Sequence, residues 1–104
     1  MGAEYDSMRM KAVADTKESR AALNEAFNDY VKQSQYEHGH GGYTGTFAEH
    51  SSFRFETITL KNPSSDELFV FCEGSQGSKW NPPVAIFITS EQFTGWYIGG
   101  WCSS

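Results

Sequence analysis

Three histidines, His38, His40 and His50, and four of the ten glycines fall between Tyr36 and His50, the densest run of special residues in this 104-residue chain. Imidazoles alternating along an extended chain, as in His38-Gly39-His40, can converge on a transition metal. The pair lacks a second ligand pair at a diagnostic spacing, so solvated or backbone-bonded histidines are favoured over a metal centre, and no cofactor is implied. His40 and His50 with Glu49 could serve acid–base hydrolysis, and Thr46 or Cys72 could be a nucleophile beside either histidine. Cys72, however, lies in an apolar run where a thiol packs as a small hydrophobe. No recognised catalytic signature appears, and the residues argue for binding before catalysis.

The glycine-rich stretch follows a helical pattern and precedes a strand pattern. Phosphate-cradling loops run in the opposite order, from strand into helix, which excludes the P-loop and Rossmann readings. A less specific site remains. It comprises His40, the backbone of Gly41 and Gly42, the hydroxyls of Tyr43, Thr44 and Thr46, then Lys79 and Trp80 from a second loop, and Trp96. Such a set could grip a small anionic, nucleotide-like ligand, or a host protein, by hydrogen bonds and stacking. Core packing is the equal alternative for Tyr43, Trp80 and Trp96, because aromatic rings are first of all packing groups.

Those residues need a frame, and composition limits it. A formal charge of −5, with 13 acidic against 8 scattered basic residues, disfavours nucleic acid. No membrane-spanning apolar run or secretory signal is visible, which points to the cytoplasm and to reduced Cys72 and Cys102. Aromatic residues make up 15% of the chain, so one folded domain with a ring-rich core is expected.

Residues 1–14 show no clear period and read as a flexible or irregular arm, with one α+β domain over 15–104. Asp15 and Glu18 suit a capping box. Leu23, Ala26, Phe27, Tyr30 and Val31 then recur on one helical face, giving one long N-terminal amphipathic helix that stops at the glycines. Strands are expected at Thr44 to Glu49 and Phe53 to Leu60, where the apolar phase slips and implies a bulge near Glu56-Thr57 or cover on both faces. Lys61 to Asp66 reads as a turn. Leu68–Cys72 and Val84–Ile88 read as central strands, separated by a ten-residue loop, and Gly95 to Cys102 as an aromatic strand. The expected architecture is that helix on a four- to five-stranded, mainly antiparallel sheet. One helix covers one face, yet apolar groups point to both, so a homo-oligomer or a partner protein is expected on the other.

The phrases Gly42-Tyr43-Thr44-Gly45-Thr46-Phe47-Ala48-Glu49, Lys79-Trp80-x-Pro82-x-x-Ala85-Ile86 and Gly95-Trp96-x-x-Gly99-Gly100-Trp101 lie in roughly the C-terminal two-thirds of the chain. They resemble a small, largely uncharacterised family of phage and prokaryotic proteins. The resemblance implies a helix-plus-sheet domain, a viral source and a host component as partner, and it supplies no activity or site residues. The combined expectation is a non-enzymatic binding protein; a small hydrolase and a structural assembly protein are the alternatives.

Overall fold

The computed structural model describes residues 3–38, 52–78 and 80–103. In chain order the elements are strand β1 (Ala3–Lys11), helix α1 (Lys17–His38), strand β2 (Arg54–Lys61), helix α2 (Ser65–Gln76), strand β3 (Val84–Thr89) and strand β4 (Thr94–Ser103). The described residues form an α+β fold with two helices and a mixed sheet. Among the described residues the strand order is β1-β4-β3-β2, with β4 antiparallel to both neighbours and β2 parallel to β3.

β1, β2 and β3 therefore share one direction. The chain crosses the sheet from β1 to β2 through α1 and returns from β2 to β3 through α2. Crossovers of one hand travelling in opposite directions place their helices on opposite faces. The two cores agree. Leu23 and Phe27 of α1 are buried with Ala85, Phe87, Trp96, Ile98 and Cys102. On the other face Leu68 and Cys72 of α2 are buried with Val84, Ile86, Ile88 and Tyr97. Alternate residues of β3 thus feed opposite layers, which explains its unbroken apolar sequence.

Leu68–Cys72 is a helix and not the expected central strand. Five apolar residues in a row satisfy either period, and here the flanks decide. Ser64 is the N-cap, its hydroxyl accepting from the Glu67 N–H at 3.1 Å. Gly77, at φ 79°, ends the helix and donates its N–H to the Glu73 carbonyl at 3.1 Å. The expected turn over 61–66 is in part the helix start, and the expected ten-residue loop shortens because Gly74, Ser75 and Gln76 are helical. α2 is also the missing second cover. The count of apolar faces that called for another subunit is met within the chain.

Three further expectations are corrected. Residues 3–11 are not an irregular arm but strand β1, paired with β4 from Ala3↔Ser103 to Lys11↔Gly95. The alternation of Met8 and Met10, which pack toward α1, with Ser7 and Arg9 was its faint signal. The sheet is mixed rather than mainly antiparallel. The cap of α1 is Thr16, one residue later than expected: the Ser19 N–H donates to Thr16 Oγ1 at 3.1 Å and the Thr16 N–H to Ser19 Oγ at 3.0 Å. Asp15 instead makes a bidentate pair with Arg20. The helical face of Leu23, Ala26, Phe27, Tyr30 and Val31 is the one α1 buries, and β2 breaks register between Phe55 and Thr59, where the apolar phase slips. The strand expected over 44–49 lies outside the described residues.

Candidate functional site

The carboxyl ends of β1, β2 and β3 lie at one edge of the sheet, and the α2 N-terminus opens there. In open sheets with parallel strands, crossover helices leave room for ligands at this edge. A cavity of about 430 Å³ occupies it, lined by Arg9, the Asn62–Ser65 turn and the Ser90–Phe93 turn. Asn62 takes a left-handed conformation, φ 48°, and its N–H donates to the Thr89 carbonyl at 2.7 Å, tying the end of β2 to that of β3. Ser90 closes the other turn, its hydroxyl accepting from the Phe93 N–H at 2.9 Å.

Arg9 supplies the charge. Its guanidinium lies 5.6 Å from the Phe93 ring centre and 5.4 Å from that of Tyr97, within cation–π range. It forms no ion pair with a carboxylate among the described residues. Ser64 and Ser65 line the same cavity, and the first-turn N–H groups of Ser65 and Asp66 have no intrahelical carbonyl to meet. Asp66 and Glu67 line a separate groove, leaving Glu91 as the acidic residue at this cavity. The arrangement suits an anion.

Below Arg9 on the same face lies a buried polar cluster. The hydroxyls of Tyr5 and Tyr97 are 2.7 Å apart. Gly99 makes room for them, since a Cβ there would sit 2.1 Å from Tyr5 Oη. Burial is the main cause holding the Cys72 thiol up at about 11, with the Tyr5 hydrogen bond pulling the other way. Burial likewise raises both phenols, and for Tyr5 its bond to Tyr97 adds to the rise. All three groups therefore hold their protons more tightly folded than unfolded. The Cys72 contribution is whole below the ordinary thiol value of 9.0 and is lost as pH climbs through about 11, whereas those of the two phenols begin to fall only above their ordinary value of 10.0. Urea midpoints should be level from neutrality to about pH 9 and fall beyond it, and Cys72→Ala should delay the onset toward the phenol range. A level profile to pH 11 in the parent protein would refute this coupling.

A third polar group is a strut. Buried Gln76 accepts the Trp101 N–H at 2.6 Å and donates to the Trp101 carbonyl at 3.0 Å, as a neighbouring strand would. The Asn81 side chain donates to the Gln76 carbonyl at 2.8 Å, fixing the loop after α2.

The residues expected to bind ligand fare differently. His40, Gly41, Gly42, Tyr43, Thr44, Thr46 and Lys79 lie outside the described residues, as do Glu49 and His50 of the hydrolase alternative. Trp80 is 65% exposed beyond the C-terminus of α2, and Trp96 is fully buried beneath α1. Trp96 is thus a core residue. The 12 residues of α2 span roughly 18 Å, so Trp80 and the Arg9 cavity occupy opposite ends of the sheet. Cys72 and Cys102 are both buried thiols, in opposite layers. No group of three or more potential metal-ligating side chains occurs among the described residues. No helix among them is long and apolar enough to cross a membrane.

Sequence reasoning passed over Arg9, Asn62 and Ser64. The Ser64-x-x-Glu67 cap was a readable sign of a helix N-terminus; Arg9 gave none, because its strand was unread. No protein-family model, curated protein or solved structure matches the chain.

Proposed function

We propose that this chain is a non-enzymatic binding protein whose seat for a small anionic, nucleotide-like ligand is the cavity between Arg9, the α2 N-terminus and the Ser90–Phe93 turn. The carrying observation is Arg9, steadied by the Phe93 and Tyr97 rings with no ion pair among the described residues. A stacked guanidinium keeps its donors in a planar fork suited to phosphate or carboxylate. Ser65 and Asp66 N–H groups add the favourable end of a helix dipole. A phage origin, with a host component as the source of the ligand, belongs to the same proposal and rests on the family resemblance alone.

NMR titration with inorganic phosphate and adenosine 5′-phosphate tests it. Amide shifts are expected at Ser65, Asp66 and Ser90 through Phe93. Arg9→Gln should weaken affinity about 10- to 100-fold, the range of a charge-assisted hydrogen bond. Absent shifts at tens of millimolar phosphate and nucleotide, or equal affinity in the variant, would remove the proposal.

A second reading keeps the site on residues 40–46 with Lys79 and Trp80. It is favoured by the bond from the Arg54 N–H to the Pro83 carbonyl, 2.9 Å, which brings the entry to β2 beside the loop that carries Trp80. Trp80→Ala losing nucleotide affinity while Arg9→Gln retains it would select this reading.

A further inference from the structure

The side chains of α2 itself carry a single sign of charge, and the guanidinium of Arg54 meets the helix only at Ser75 in its last turn. The 12 residues of α2 include Asp66, Glu67 and Glu73 and no lysine or arginine. Glu73 is held in place, its carboxylate accepting from Trp101 Nε1 at 3.1 Å. Amid these acids Val70 is 64% exposed. With Phe71 and Leu60 it forms a largely apolar groove of about 420 Å³, rimmed by Asp66 and Glu67. One turn beyond Val70 stands Gly74, a poor helix former, and a Cβ there would meet nothing within 4 Å. Neither a tight contact nor a positive φ within the described structure calls for that glycine. Asp66, Val70 and Gly74 follow one another at i, i+4 and i+8, so one ridge presents an acid, an aliphatic group and bare backbone in turn.

We propose that this groove docks a basic amphipathic helix from a partner protein. Its apolar residues fill the space between Val70, Phe71 and Leu60; its lysines and arginines meet Asp66, Glu67 and Glu73; its backbone passes close to Gly74. Charge selects this occupant. A second copy of the chain would set one acidic α2 against another, and an anionic membrane surface would be repelled in the same way. A basic helix gains from both the apolar floor and the acidic rim.

The test titrates the whole protein calorimetrically with a synthetic amphipathic Leu/Lys helical peptide and with a Leu/Glu peptide of identical pattern. The Leu/Lys peptide is expected to bind with one-to-one stoichiometry, at least about tenfold more tightly than its acidic counterpart and more weakly as salt rises. Val70→Gln, at an exposed site, should weaken binding about fivefold. Gly74→Ala should raise the melting temperature yet weaken binding, so loss of fold cannot explain its effect. Arg9 does not line the groove, so Arg9→Gln should change the affinity for the peptide far less than Val70→Gln. Equal affinity for the two peptides, or parental affinity in both Val70→Gln and Gly74→Ala, would overturn the proposal.

Discussion

Trp96→Ala is expected to destabilise the protein by about 3–5 kcal/mol, a large part of the roughly 5–15 kcal/mol that holds a small domain folded. Trp96 is fully buried. Its ring meets Phe55 at 5.1 Å and Phe87 at 5.3 Å between centroids, in edge-to-face geometry. Its indole N–H donates to Ser19 Oγ at 3.1 Å, and the same Ser19 closes the cap on Thr16. One side chain thereby joins β2, β3, β4 and the first turn of α1. Truncation opens a cavity that four elements would have to close together. Trp96→Phe keeps part of the ring packing and loses the indole bond, so a smaller loss, about 1–2 kcal/mol, is expected. Urea denaturation followed by far-ultraviolet circular dichroism measures both. A Trp96→Ala protein as stable as the parent but deficient in nucleotide binding would return this residue to a ligand site.

The contrast between Trp96 and Arg9 shows which kinds of position a sequence discloses. The α1 stripe was readable because five apolar positions over more than two turns fit only one period. β3 was readable as doubly covered because its apolar run has no polar alternate, and the slip in β2 was visible as a change of phase. α2 was unreadable from its apolar residues alone, since Leu68 to Cys72 is short and continuous; Ser64, Glu67 and Gly77 held the answer in the flanks. The Arg9 cavity is a different case. Arg9, the Asn62–Ser65 turn and Phe93 stand on three separate segments, and only the order β1-β4-β3-β2 assembles them at one edge. No local spacing encodes that meeting. The demand for a second cover was sound as physics, and α2 supplies one within the chain.

Leu68→Asp and Val70→Asp form the sharpest test of that internal cover. In a strand these two residues would share a face and respond alike. In α2 they part company: Leu68 is 1% exposed against the sheet, and Val70 is 64% exposed. Leu68→Asp both deletes an apolar group from the core and sets an unpaired carboxylate there, so a loss above about 4 kcal/mol is expected, enough to detach α2 or unfold the chain. Val70→Asp should cost only about 1 kcal/mol, a surface change plus repulsion from Asp66, Glu67 and Glu73 on the same helix. Detaching α2 would also bare Val84, Ile86 and Ile88 together, so Leu68→Asp should bind a hydrophobic dye and self-associate in ultracentrifugation, whereas Val70→Asp should do neither. Similar losses from the two substitutions would mean that α2 does not cover this face, and the case for an external subunit would stand again.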